Sequence, residues 1–164
     1  MSIHSLAIVQ SLVVISAANG APVLCKRLFG NRLARAIDGG LILRDGHPLL
    51  GASKTWRGVI AALALSTCAS VLVGLQWQAG ALAGACGMAG DCFSSFVKRR
   101  LGVRSGDMSP GLDQIPESLL PAAVCGLYLP LSFFDFAAVV LLFFVGQIVL
   151  SRLSFGIGLR DRPY

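Results

Sequence analysis

Residues 79–100 read AGALAGACGMAGDCFSSFVKRR, and this stretch decides the fold class. From Ala79 to Gly90 no residue is charged and most are Ala or Gly; Asp91 follows, and the run ends in Lys98, Arg99 and Arg100. Small residues let neighbouring helices approach closely, which predicts a helix at the centre of a membrane bundle. At about 1.5 Å per residue, Asp91 then sits roughly 10 Å inside the level of Lys98. An acid at mid-bilayer depth costs about 2.5–3.5 kcal/mol, so it is kept for function or neutralised by a base such as Lys98, Arg99 or Arg100. At helical spacing Asp91, Ser95 and Lys98 share one face, while Arg100 points to the other side. A carboxylate, a hydroxyl and an ammonium therefore fall on one stripe.

Outward from this helix the chain is apolar on both sides. Of its 164 residues, 55% are hydrophobic and 13% charged, and the mean hydropathy is +0.74. Soluble domains are less apolar and more charged. The composition predicts an all-α integral membrane protein, and the length allows a single transmembrane domain, 1–164, without a separate soluble domain. Five apolar runs are expected to span the bilayer: 3–24, 58–75, 79–97, 118–134 and 136–151. The last two are short against the usual span of about 20 residues; they either extend at their ends, with Arg152 snorkelling, or form a re-entrant hairpin. Asn19-Gly20-Ala21-Pro22 is expected to break or distort the end of the first run. Gln76-Trp77-Gln78 is expected to form a polar turn, and Asp135 to mark the turn between the last two runs.

Charge placement orients this bundle. With five spans, all fourteen Lys and Arg residues fall on one side. The positive-inside rule then puts the N-terminus outside and the C-terminus and both long loops in the cytoplasm of a multi-pass protein of the cell membrane. The cysteines (Cys25, Cys68, Cys86, Cys92, Cys125) show no C-x-x-C spacing and read as small packing residues.

The formal net charge of +6 does not indicate nucleic acid, because the basic residues lie in loops beside apolar runs and lack interleaved aromatics. Anionic lipid or phosphate is the better partner class. Lys26 to Arg57 holds seven of the fourteen basic residues, with glycine-marked turns at Asp38-Gly39-Gly40, Asp45-Gly46 and Gly51. Gly46-x4-Gly51 followed by Lys54-Thr55 is not a Walker A loop: the lysine comes two places late and no strand precedes it. Together the two basic loops offer Lys54, Arg57, Lys98, Arg99, Arg100 and Arg104 beside Asp38, Asp91, Asp107 and Asp113. Carboxylates hold a hard ion such as Mg2+, and Lys or Arg neutralises phosphate oxygens. Phosphoryl or nucleotidyl transfer needs positioning and charge neutralisation more than a side-chain nucleophile. No Ser/His/Asp, Cys/His or H-E-x-x-H arrangement competes with that chemistry.

The series Ala18-Asn19-Gly20-Ala21-Pro22, Ile37-Asp38-Gly39-Gly40, Asp45-Gly46-x-Pro48-Leu49-Leu50-Gly51, Lys54-Thr55-Trp56-Arg57-Gly58, Gly90-Asp91, Ser95 to Gly102 and Leu112-Asp113-Gln114 resembles the CDP-archaeol synthase family, over most of the chain and in the family's order. The resemblance implies about five transmembrane helices with two cytoplasmic loops forming the active site. It also implies transfer of CMP from CTP to a membrane phospholipid acceptor, either phosphatidate-like or an archaetidic-type lipid phosphate, with Mg2+ and release of pyrophosphate. On this resemblance Asp91 and Asp113 are metal or catalytic carboxylates, and Lys98 and Arg99 hold the CTP phosphates. Asn19, Asp38, Lys54, Arg57, Ser95 and Arg100 shape the substrate pocket. The family commonly continues as Asp-x-x-Asp, and here Pro116 stands at the second position with Glu117 beside it. Either Glu117 substitutes from a shifted register, or a metal ligand is missing.

Two other classes stay open. A small transport or channel subunit would use Asp91 on an ion or proton path and place polar residues at several depths. A non-catalytic scaffold would bind anionic membrane lipids through its basic loops and survive loss of Asp91.

Overall fold

The computed structural model of the protein describes residues 3–156, with side chains through 153; Arg160 and Arg162 of the basic tail lie outside the described residues. Five helices follow one another: α1 (Ser5–Phe29), α2 (Trp56–Leu72), α3 (Trp77–Arg100), α4 (Gln114–Tyr128) and α5 (Phe133–Gly156). Among the described residues the only extended pairing is two isolated antiparallel bridges, Ala36 with Thr55 and Ile42 with Pro48. The fold is all-helical, as the composition predicts.

Helix α3 packs against α2, α4 and α1, and its small residues set those contacts. A Cβ on Gly80 or Gly84 would run into Ser66 of α2, and one on Gly90 would run into the carbonyl of Pro116 in α4. Ser66 Oγ donates to Ala62 O at 2.7 Å and to Gly80 O at 2.8 Å, so its buried hydroxyl is satisfied where the two backbones meet. Gly90→Ala is therefore expected to push α4 away from α3 at a cost of about 1–3 kcal/mol. Unfolding in detergent measures this, with Gly20→Ala as the control because a Cβ there meets nothing within 4 Å.

The helices depart from the expected runs in three places. Helix α1 continues to Phe29 with Pro22 inside it, so the Asn19–Pro22 motif does not break the helix. Asn19 Nδ2 bonds back to Ile15 O at 3.1 Å, and Pro22 packs against the start of α2 at Gly58, where a Cβ would lie 3.3 Å from the proline ring. Trp77 begins α3 instead of lying in a turn.

The turn before α5 falls at residues 129–132 rather than at Asp135. Ser132 N donates to Asp135 Oδ2 at 3.0 Å and Asp135 N to Ser132 Oγ at 3.2 Å, the reciprocal bonds of a capping box. His4 also reaches Asp135, through Nδ1 at 2.9 Å. With its start moved to Phe133, α5 has 24 residues and is not a short helix. Ser5–Phe29 and Phe133–Leu153 are long and apolar enough to cross a bilayer; α2, apolar as well, has 17 residues. Their outer faces carry exposed aliphatic and aromatic side chains, such as Leu6, Val13, Leu141, Leu142 and Val149.

The long loop between α1 and α2 is folded. Leu49 N donates to Leu41 O at 2.8 Å and Leu43 N to His47 O at 2.9 Å, closing a hairpin around Asp45-Gly46. Ile37 N donates to Lys54 O at 2.9 Å and Trp56 N to Arg35 O at 3.1 Å, which returns the chain to α2. Thr55 caps α2 by accepting from Gly58 N at 3.3 Å.

Candidate active site

The cluster is assembled at the end of the bundle where α1 and α3 finish and α2 and α4 begin. Helix α3 supplies Asp91, Ser95, Lys98 and Arg99, of which the last three are buried. Lys54, just ahead of the α2 cap, forms an ion pair with Asp91. Lys98 Nζ lies 2.6 Å from Asp113 Oδ1 and donates to Asp107 O at 3.0 Å. Asp113 Oδ2 accepts from Ser109 N at 2.8 Å, which fixes the carboxylate ahead of α4. The two pairs belong to one electrostatic unit. The Lys98 charge acts on Asp91 and the Asp113 charge on Glu117 in the first turn of α4.

Burial depresses the Lys54 ammonium, but the Asp91 carboxylate outweighs it and holds the group above the ordinary lysine value of 10.5. Lys54 therefore stays charged at neutral pH. Arg99 reaches Arg104 O through Nη2 at 2.9 Å, while its Nε is buried without a hydrogen-bond partner. Asn19 Nδ2 donates to Glu117 O at 3.4 Å, linking α1 to the first turn of α4.

Asp91, Lys54, Lys98, Asp113 and Arg99 thus come together, with Ser95 buried on the same helix and Asn19 at the edge. The remaining expected residues are engaged elsewhere. Arg57 donates to Gly30 O at 2.8 Å and to Arg32 O, so it closes the exit of α1. Arg100 pairs with Asp45 at 2.8 Å, donates to Pro48 O at 2.5 Å and stacks over Phe96 at 5.3 Å, clamping the hairpin to α3. Both guanidinium groups hold loop backbone in place. The partner of Asp91 is Lys54, 37 residues away, and not one of the three basic residues that follow it in the helix. Helical spacing cannot reveal that pair.

Asp38 shapes the loop. Its carboxylate accepts from Gly40 N at 3.0 Å, Leu50 N at 2.8 Å and Gly51 N at 3.1 Å. Burial pushes the carboxyl up, but these donors outweigh it and hold it below the ordinary 3.8. A carboxyl lowered in the folded state adds stability that is present above the unfolded value and lost as pH falls through the folded one. Asp38→Asn is therefore expected to lower stability at neutral pH and to flatten the acid limb below pH 3.8. Thermal midpoints of both proteins from neutral pH downward check this.

Among the described residues no three His, Cys, Asp or Glu side chains are arranged to enclose an ion unaided. Mg2+ does not require such a cage, because it is usually held by one or two carboxylates together with water and substrate phosphates. Asp91 and Asp113 are donors of that kind. Asp113 Oδ1 is buried and accepts no well-directed hydrogen bond despite its closeness to Lys98. The donor set fits a hard divalent cation.

No protein-family profile matches the chain. The CDP-archaeol synthase of Pyrococcus furiosus is 34% identical over 121 residues, which cover 68% of this chain and 68% of that protein. The chain belongs to the CDP-archaeol synthase family. The CDP-archaeol synthase of Hyperthermus butylicus is 41% identical over 117 residues, covering 65% of this chain and 64% of the relative. The match to the Aeropyrum pernix CDP-archaeol synthase is 42% identical and covers 60% of this chain and 56% of the relative. The chain thus spans between about half and two thirds of these two relatives. A solved structure described as an intramembrane enzyme for archaeal membrane lipid biosynthesis superposes with a TM-score of 0.70 at 28% identity, covering 84% of this chain and 90% of that one. With the apolar helices, these likenesses make the chain a helical membrane protein of the CDP-archaeol synthase family.

Proposed function

We propose that the protein is a CTP-dependent cytidylyltransferase that converts a membrane lipid phosphate into a CDP-lipid and releases pyrophosphate. The observation that carries this reading is the meeting of two lysine–aspartate pairs, Lys54–Asp91 and Lys98–Asp113, beside the buried, incompletely satisfied Arg99. Such a site offers cations for phosphate oxygens and carboxylates for a metal, without a side-chain nucleophile. Nucleotidyl transfer asks for this combination.

In the proposed reaction an oxygen of the lipid phosphate attacks the α-phosphorus of CTP. The bond from that phosphorus to the oxygen bridging to the β-phosphate breaks, and pyrophosphate leaves with the electron pair. The product carries CMP joined to the lipid phosphate through a phosphoanhydride. Lys98 and Arg99 neutralise the departing pyrophosphate, and Lys54 orients a second phosphate group at the start of α2. Mg2+ held by Asp91 and Asp113 would supply further neutralisation of the phosphate oxygens. The acceptor is already anionic near neutral pH, so no strong base is needed. Asn19 positions the first turn of α4, while Asp38, Arg57 and Arg100 position the loop that carries Lys54.

We propose a five-span arrangement, with the N-terminus outside and the cluster in the cytoplasm at the face of the cell membrane. An acceptor's tails can then stay in the bilayer while its phosphate enters between the helices. A transport path is disfavoured by the buried hydroxyls between the two ends of the bundle: Ser11, Ser66 and Ser118 each donate to a carbonyl of their own helix. Purified protein in detergent with CTP and Mg2+ is expected to release pyrophosphate only when a lipid phosphate is added. Comparison of phosphatidic acid with an archaetidic-type phosphate identifies the acceptor; no release with either contradicts the proposal.

A further inference from the structure

The two basic loops meet at a pair of serines, Ser53 and Ser105. Ser105 Oγ, in the loop after α3, accepts from Ser53 N at 3.4 Å and donates to Ser53 Oγ at 3.2 Å. Ser53 directly precedes Lys54, in a turn that is fixed from its other side: Lys54 N donates to Gly51 O at 3.2 Å, and Asp38 holds the N–H groups of Leu50 and Gly51. The end of α3 brings Ser105 to this turn. Gly102 N donates to Arg99 O at 3.2 Å and Val103 N to Lys98 O at 3.0 Å, with Gly102 at φ +72°, so the chain folds back over the last turn of the helix. Arg99 Nη2 secures the returning loop at Arg104 O, one residue before Ser105.

Gly51 is where these parts touch. It is buried at φ +93°, and a Cβ on it would lie 2.9 Å from Ser105 Oγ and 3.2 Å from Arg99 Nη1. The Ser105 hydroxyl and the Arg99 guanidinium therefore lie against the same side of Gly51. Ser53 and Ser105 are both exposed, so their bonds replace bonds to water and add little to folding. What they fix is relative position. Lys54 arrives from one loop and Arg99 from the end of α3, and stabilisation of phosphate charge depends on cations held in place beforehand. We infer that Ser105 is a positioning residue: through Ser53 it holds the turn carrying Lys54 against Arg99, and so sets the spacing of two cations that receive phosphate groups. This inference rests on the cytidylyltransferase reading and deepens it.

Pyrophosphate binding to the full chain in detergent with Mg2+, measured by calorimetry, reads that spacing without requiring turnover. Ser105→Ala is expected to weaken binding by about three- to tenfold, the scale of one or two lost hydrogen bonds, and Ser53→Ala by less, because its backbone N–H remains. Ser105→Thr keeps the hydroxyl and is expected to restore binding to within about twofold of the parent protein. Both Ser105 variants are expected to melt like the parent protein in the absence of pyrophosphate.

Ser105→Ala that binds pyrophosphate as tightly as the parent protein overturns the inference, and so does a parent protein that binds none. Weakened binding that Ser105→Thr does not restore overturns it too, because the hydroxyl is then not the group that acts. A lowered melting point of Ser105→Ala without pyrophosphate makes the contact structural and has the same consequence. Failure of the underlying reading looks different. Pyrophosphate binding that depends on Ser105 without any CDP-lipid formation sinks the proposed function alone, whereas CDP-lipid formation with binding indifferent to Ser105 sinks the positioning role alone.

Discussion

Asp91→Asn is expected to reduce CDP-lipid formation by about 10³-fold, on the scale of losing one preorganised electrostatic group from a water-poor site. Asn is nearly isosteric, so the Gly90 contact with Pro116 survives and the helix packing is unchanged. Two effects combine. The carboxylate available to a metal disappears, and Lys54 loses the partner that holds it charged and in place. Formation of CMP-lipid from CTP, followed by chromatography of the lipid phase, gives the measurement. Activity within tenfold of the parent protein would remove Asp91 from the chemistry and leave it as a structural ion-pair partner, as the scaffold alternative holds.

Lys98→Met is the second variant with a large expected effect, and it separates stability from catalysis. Lys98 and Asp113 are both largely buried, so removing the ammonium strands a carboxylate at a cost of about 3–5 kcal/mol. Turnover is expected to fall by about 10²–10³-fold, because the leaving pyrophosphate loses a neutralising charge. Asp113→Asn added to Lys98→Met relieves the stranded charge and should restore much of the lost stability. Activity should stay low. Unfolding and turnover of the two single variants and the double variant form a closed cycle. Recovery of both properties would make the pair structural only; recovery of stability alone is the expected outcome.

The centrality of α3 was legible because it depends on local composition. Gly80, Gly84 and Gly90 mark the places where α2 and α4 come closest, and a run of small residues announces such contacts before any neighbour is known. The boundary before α5 was less legible. Asp135 sits in an otherwise apolar region and reads as a break, but Ser132-x-x-Asp135 is a capping box that begins the helix. Pro22 misleads for a related reason: a proline's effect depends on what packs around it, and α1 runs through it to Phe29 with the ring against the start of α2.

In the candidate site, spacing along one helix disclosed the Asp91–Ser95–Lys98 stripe. It could not disclose which base meets Asp91, since Lys54 arrives through a folded loop. Nor could it sort the arginines. Arg57, Arg99 and Arg100 carry the same guanidinium group and each donates to a loop carbonyl, yet of the three it is Arg99 that is buried on α3 next to Lys98. How closely Gly90 lets the start of α4 approach α3 is likewise a distance that residue types alone do not specify.

The most direct test of the central claim follows the label from CTP. Protein in detergent with Mg2+ and a lipid phosphate is given CTP labelled at the α-phosphorus and, separately, at the γ-phosphorus. The account predicts that the α label enters the lipid while the γ label leaves in pyrophosphate. Transfer of the γ label to the lipid, which would make the reaction a phosphorylation, or failure of the α label to enter any lipid phosphate offered, would contradict it.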